Sequence, residues 1–458
     1  LSIAVGRRRA SVALANVAFV MVGVSAGVGG VLLPAQITDY HVDNATIGIT
    51  FFTFSAGFML AGITSGALID RFGIRTSLAV GCGTYVLAAL YTGTRPPFIA
   101  LLVAQLVAGY GTGVVESGLN AFLSRLPSAT TLINHLHAFF GVGALIGPLM
   151  AAWILTMAPW TVVWLVLAML YLPLLAGFLA LYPRDGAAAA HDEAVPGPDA
   201  GSASSASSAS SASSASSASS EIAVDSLGST GDGRYATRQD APPVGERREV
   251  VRPNRRGLLT AALRTPAVLL ASALLSVYVG LEASVGNWGF SFLVAEHAQT
   301  GLMAGYTISG YWLGLTLGRF LISPAAARLG MTEAGMVFAC LVGVTAGAAV
   351  TWLAPVPAVA SVGLALLGFS LGPIFPTAMA VVPHFTEARL VATAMGVLNG
   401  VSVIGGAVLP WLAGVIAQGV GLWTLMPYAV LLGLVQLAIW RTVAVRMTGG
   451  RDREAARS

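Results

Sequence analysis

Residues 66–75 read Gly-Ala-Leu-Ile-Asp-Arg-Phe-Gly-Ile-Arg, a short polar hinge between apolar runs at 46–69 and 75–94. Each run is long enough to cross the hydrocarbon core of a bilayer as a helix, which takes about 20 residues. The alternation continues outward in both directions, with further apolar runs near 11–36, 97–123, 134–158, 160–182, 266–294, 301–325, 331–353, 356–383, 388–417 and 420–445. Gly and Pro inside these runs do not argue against helix, because neighbouring helices re-satisfy the backbone in lipid. The expected fold is an all-α membrane protein with 12 transmembrane helices in two pseudo-symmetric six-helix bundles.

Composition excludes the soluble alternatives. The chain of 458 residues is 56% hydrophobic and 10% charged, with a mean hydropathy of +0.79, whereas a soluble protein carries about 25% charged residues. All 24 basic residues are Arg, so no lysine nucleophile or Schiff base is available. Cys82 and Cys340 each sit inside an apolar run, which rules out a disulfide scaffold and a cysteine-rich metal site, and no metal is expected. The pI of about 9.3 does not imply a nucleic-acid partner, because the arginines border apolar runs and form no single patch. With the N-terminus in the cytoplasm, 22 arginines fall in cytoplasmic segments, Arg95 falls outside and Arg319 lies within a span. That asymmetry predicts a multi-pass protein of the cell (plasma or inner) membrane with both termini cytoplasmic. The N-terminal Gly-Arg-Arg-Arg-Ala and its apolar run read as a first helix and not as a signal peptide, because the run is too long and further spans follow.

Residues 183–256 interrupt the pattern with Gly, Pro and Ser-Ala-Ser triplets from Ser202 to Ser220. The expected organisation is an N-terminal six-helix bundle over 1–182, a disordered cytoplasmic Ser/Ala-rich linker over 183–256, a C-terminal bundle over 257–447 and a cytoplasmic tail over 448–458. The halves align at an offset near 257: Arg71-Phe72-Gly73 falls onto Arg328-Leu329-Gly330, Gly57 onto Gly314 and Gly143 onto Gly400. Six plus six helices repeated in parallel around a loose loop is a transporter arrangement.

Of the 20 acidic residues, two lie deep in apolar runs, Glu116 and Glu282. A carboxylate at the bilayer centre costs several kcal/mol, and this cost makes both glutamates candidates for taking up and releasing coupling protons. Glu116 belongs to a stripe in which Gln105, Gly109, Gly113, Glu116 and Asn120 share one helix face. A lined cavity and a small-residue packing seam both fit that stripe, and for the two glycines the seam fits better. Near the midpoint of its run, Glu282 has Tyr278 one turn earlier. Asn287 and Trp288 lie off that face, and unwinding at Gly286 and Gly289 is expected to turn them inward. Trp312 and Arg319 occupy the eighth run. Arg319 reads as a structural tether or latch that snorkels or pairs with a carboxylate. His137 is a candidate proton relay, with an interface position the commoner alternative. Gly66, Asp70, Arg71, Gly73 and Arg75 form a Gly turn carrying an acid–base pair, which is expected to latch the halves in one state.

The hinge G-x-x-x-D-R-x-G-x-R resembles the loop signature of the major facilitator superfamily, with Ile74 where a basic residue is usual. Within it, Glu116–Asn120 (ESGLN), HAFFGVGALIGP (137–148), YVGLEASVGNW (278–288), GYWLGLTLGRF (310–320) and GPIFPT (372–377) resemble the fucose-permease-like branch of sugar:proton symporters. That branch pairs a membrane Glu with an Asn one turn on, as Glu116 and Asn120 stand here. It also tends to carry an Asp ahead of the Leu-Leu-Pro run, where this chain has Gly30 and Val31. Gly143-Ala-Leu-Ile-Gly147-Pro148 resembles a fifth-helix motif of antiporters.

The expected function is secondary active transport of a small polar solute, a sugar foremost, by alternating access and proton symport. Glu116 and Glu282 would couple the proton, and Gln105, Asn120, Tyr278, Asn287, Trp288, Trp312 and Asn399 would bind substrate. Export of drugs or amphipathic metabolites remains the alternative, and sodium could replace the proton at the same carboxylates. No H-E-x-x-H or nucleotide loop is present, so an enzyme is not expected. No cofactor is expected, and the expected partners are the solute and the bilayer, around a monomer.

Overall fold

The computed structural model describes residues 2–182 and 255–455, so the expected linker over 183–256 falls almost wholly outside the described residues. Six helices form the first half: α1 (Ser2–Tyr40), a short α2 (Asn44–Ile47), α3 (Ile49–Gly93), α4 (Phe98–Ser124), α5 (Ala129–Leu155) and α6 (Trp160–Leu181). The second half contains α7 (Arg255–Arg264), α8 (Pro266–Glu296), α9 (Gly301–Arg328), α10 (Glu333–Trp352), α11 (Pro357–Leu371), α12 (Ile374–Phe385), α13 (Val391–Val420) and α14 (Leu425–Ala455). The segment expected as a tail from 448 is thus helical through Ala455, and residues 456–458 lie outside the described residues.

Ten of the described helices are long and apolar enough to cross a membrane, and local geometry accounts for twelve crossings. At 45 residues, α3 would run for roughly 67 Å if straight, more than twice the hydrocarbon core. Gly73, at φ 78 and ψ 165, breaks it into two crossings. The other crossing beyond those ten is α9, which has the length of a span at 28 residues but not the apolarity. It carries Tyr311, Trp312 and Arg319. Pro266 and Pro357 open α8 and α11, where a missing N–H costs nothing. Thr300 and Thr332 cap α9 and α10 by accepting from the N–H groups of Met303 and Gly335.

The two halves repeat the same packing scheme. In the first, α1 packs on α5 and α3 on α4 and α6; in the second, α8 packs on α13, α9 on α11 and α10 on α14. Gly57 lies against the Leu106 carbonyl of α4, and its repeat mate Gly314 lies against the Ala365 carbonyl of α11. Gly73 and Gly330 both adopt positive φ, 78 and 65, the conformation glycine enters without penalty. The third expected pair is corrected. A Cβ at Gly143 would meet the Val20 carbonyl of α1, whereas one at Gly400 would meet open space. The equivalent contact in the second half is Gly405 against the Ser276 carbonyl of α8, so the offset drifts by five residues along α13.

Gly143→Val should therefore push α5 from α1, cost roughly 1–3 kcal/mol of overpacking and lower the melting temperature in detergent. Gly400→Ala should leave it unchanged or slightly raised, since Ala is the better helix former.

Candidate functional site

At the end of the bundle opposite the Asp70–Arg75 hinge, the halves are closed on each other. Gly30 of α1 sits so tightly against α8 that a Cβ there would be 2.5 Å from the Gly286 carbonyl oxygen and 2.6 Å from that of Asn287. The Asn44 N–H donates to the Gln418 side chain at 3.1 Å, and Phe51 and Phe52 stand edge-on to Trp288 and Trp411. This packing gives a physical reason for the missing first-helix Asp: at position 30 there is room for glycine alone in this closed arrangement. Between the halves, α5 packs along α9 from Gly305 beside Ala152 to Gly141, where a Cβ would run into the Thr316 hydroxyl.

Beneath the closed mouth lies a cluster centred on Glu282. Its carboxyl, the Tyr278 hydroxyl and the Arg319 guanidinium are within electrostatic range of one another. The Tyr311 hydroxyl donates to the Glu282 carbonyl at 3.1 Å, and the Tyr278 hydroxyl donates to the Leu371 carbonyl at 3.2 Å. Leu371 ends α11, and α12 starts at Ile374 after the break at Gly372-Pro373. Gly372 lies against the backbone of Gly318 and Arg319. A discontinuous span thus borders the one cluster of opposite charges inside the described membrane helices, an arrangement typical of transport sites. From the other half, His137 on α5 stands edge-on to Phe19 at 5.3 Å between ring centroids. It too is within electrostatic range of Arg319.

The remaining predicted residues separate into groups. Trp288 is 1% exposed and its indole N–H donates to the Pro410 carbonyl at 2.8 Å, so it is packed into the closed mouth and presents no free ring face in this state. Helix α8 is continuous through Gly286 and Gly289, contrary to the expected unwinding. These glycines instead make room for the Trp312 ring and the Ile308 side chain, so helix packing replaces unwinding as their role. Asn287 still reaches the boundary between the halves, beside Gly29, and its amide donates back to Ala283 at 2.8 Å. Because α8 and α13 run in parallel with Ser276 beside Gly405 and Gly280 beside Leu409, Asn399 falls level with about residue 270, more than two turns from Tyr278.

Glu116 forms a separate site. Gly109 and Gly113 of its stripe abut Phe54, Phe58 and Ala61 of α3, so this part of the stripe is a packing seam. Gln105 and Asn120 are buried, and the Asn120 amide donates to the Glu116 carbonyl at 3.0 Å. Glu116 itself is half-buried, and no charged side chain among the described residues acts on it. The hinge differs from expectation. Asp70 and Arg71 are exposed and form no ion pair among the described residues; Arg71 lies 5.3 Å over the Phe72 ring. With Gly73, Arg75 and Leu179 they line an open pocket of about 560 Å³. The expected fixed acid–base latch is therefore not made among the described residues in this state, and the pocket is lined by the first half. Gly66 is half-buried at the approach to the turn. Among the described residues no three His, Cys, Asp or Glu side chains gather as metal ligands.

Sequence reasoning missed Tyr311, the break at Gly372-Pro373 and the convergence of His137 on Arg319. The Gly-Pro dipeptide was a legible turn signal for the break; a contact between residues on different halves leaves no local trace.

A family model of the Major Facilitator Superfamily matches residues 15–410. The chain belongs to that superfamily, as the hinge motif implied, and is a multi-pass membrane transporter. It is 24% identical over 421 residues to bypass of stop codon protein 6 of Saccharomyces cerevisiae (strain ATCC 204508 / S288c), covering 88% of this chain and 76% of that protein. It is 20% identical over 423 residues to the glucose/mannose transporter GlcP of Bacillus subtilis (strain 168), covering 92% and 88%. The fold matches a crystal structure of the E. coli fucose:proton symporter FucP with a TM-score of 0.56 at 16% identity, covering 94% and 98%.

The fit at Gly30 yields a direct test. Gly30→Val should prevent closure of the mouth and raise labelling of an introduced Asn44→Cys by a membrane-impermeant maleimide several-fold. Buried Cys82 and Cys340 keep the background low.

Proposed function

We propose that the protein is a proton-coupled symporter of a small polyhydroxylated solute, working by alternating access. The observation that carries this reading is the pair of half-buried intramembrane glutamates, Glu116 and Glu282, one in each half beneath a mouth that is closed at one end. Two similar proteins, a glucose/mannose transporter and a fucose:proton symporter, support sugars as the class. Protonated Glu116 is neutral and tolerates an occluded site, whereas its loss of a proton restores a charge that disfavours occlusion. Glu282 has Arg319 in range and Glu116 has no counter-charge, so Glu116 is the better proton carrier and Glu282 the better positioning group. The Asn120 amide keeps its oxygen for a solute hydroxyl while its N–H groups hold the helix.

The arginine-bearing end is assigned to the cytoplasm by the positive-inside asymmetry, in the cell membrane and with the closed mouth outward. In intact cells an impermeant maleimide should label Ala298→Cys and spare Asp70→Cys; the reverse pattern overturns the orientation.

Substrate-driven alkalinisation of the medium should accompany uptake and vanish in Glu116→Gln, while counterflow of labelled solute persists. Alkalinisation that survives in Glu116→Gln removes this residue from the coupling role. Uptake that follows a sodium gradient at fixed pH replaces the proton, and thermal stabilisation by lipophilic cations but not by hydrophilic ligands favours export.

A further inference from the structure

Arg319 is a cation deep in the bundle without an ion pair. Among the described residues the ion pairs are Arg95 with Asp39 and Arg389 with Glu387, both near helix ends. The Arg319 Nε is buried with no acceptor, while the side chain as a whole is only half-buried. Trp312 lies two turns earlier on the same face of α9. It is 7% exposed, and its indole N–H also has no acceptor. His137 approaches Arg319 from the other half, and its buried Nε2 is likewise without a partner.

What surrounds these nitrogens offers few acceptors, the Tyr278 oxygen within hydrogen-bonding reach of Arg319 among them. Among the described residues Glu282 is the one carboxylate in range of Arg319, and it lies beyond ion-pair distance. The Tyr278 and Tyr311 hydroxyls direct their protons to the Leu371 and Glu282 carbonyls. Buried polar groups left unpaired are costly, and more so when charged, so such a set is retained where something completes it. A neutral sugar hydroxyl brings a donor with every acceptor. A carboxylate brings acceptors alone together with the missing negative charge, and its planar pair of oxygens fits a guanidinium.

We infer that the solute carries a carboxylate, making it a polyhydroxylated monocarboxylate of the aldonic or uronic acid class. Arg319 receives that carboxylate, and the Trp312 N–H and His137 supply further contacts from the two halves. The inference rests on the transporter reading above and narrows its substrate. Arg319 then stands between two carboxylates, that of Glu282 and that of the solute, and can neutralise only one. The proton carried by Glu116 offsets the charge of the entering anion, so that anion and proton enter together without net charge.

The test is a thermal-shift series on the purified full chain with gluconate and glucuronate, set against their neutral counterparts gluconamide and glucose. The carboxylates should raise the melting temperature in a saturable way and the neutral compounds should not. Arg319→Gln should weaken the apparent affinity about tenfold or more, Arg319→Lys should recover part of it, and Trp312→Phe, which keeps the ring and removes the N–H, should weaken it by a smaller factor. The melting temperature of each variant without ligand reports on folding separately. Equal stabilisation by glucose and glucuronate that persists in Arg319→Gln overturns the carboxylate assignment and leaves the transporter reading standing. A wild-type protein that answers to none of the four overturns the sugar-acid class, while counterflow of labelled glucose in proteoliposomes tests the transporter reading independently.

Discussion

The hydrocarbon interior of a bilayer offers no partner to a polar group, and this constraint organises the whole molecule. Every described crossing is helical because a helix satisfies its own backbone. Charge is banished to the ends, where 23 of 24 arginines lie by sequence, and what remains inside is confined to Glu116, Glu282 and Arg319 among the charged side chains of the described spans. Where a charge persists against that cost, its neighbours reveal its use. Glu282 and Arg319 sit beside a broken helix, two tyrosine hydroxyls and a histidine from the other half. Glu116 sits without a counter-charge.

In lipid, helices gain nothing from hiding apolar surface, so close backbone approach takes over the work of packing. Gly57, Gly109, Gly143, Gly314, Gly318, Gly368 and Gly405 each place a neighbouring backbone where a Cβ would stand. The same device closes the mouth at Gly30. Holding the halves together through glycine contacts and a few aromatic edges, instead of through ion pairs, suits a protein that must part them again: such contacts are lost and regained without stranding a charge.

The fold was almost wholly legible. Run lengths gave the crossings, arginine placement their sidedness as a prediction, and the glycine after Asp70-Arg71 the turn that splits α3. The site was legible in part. Glu116 and Glu282 stood out because charge is scarce there, and Tyr278 shares a helix face with Glu282. Trp288 is packed in the mouth in this state, and an aromatic ring near a span midpoint reads alike whether it faces a cavity or a packed mouth. The depth of Asn399 depends on the register of α13 against α8, which no local pattern carries. The Gly143–Gly400 match failed because identity of residue type at a fixed offset does not guarantee the same neighbour.

By itself the sequence determined what each segment is, since burial in lipid and helix periodicity act within a segment and need no partner. It determined the number of crossings, the repeat and the two intramembrane carboxylates. The tertiary structure alone decided which segments meet: that Gly30 lies against Gly286 and Asn287, that the end of α11 accepts from Tyr278, and that Arg319 comes within electrostatic range of both Glu282 and His137. These contacts join residues tens to hundreds of positions apart. They depend on how helix axes cross, and a one-dimensional pattern of apolar and polar residues carries no measure of a crossing.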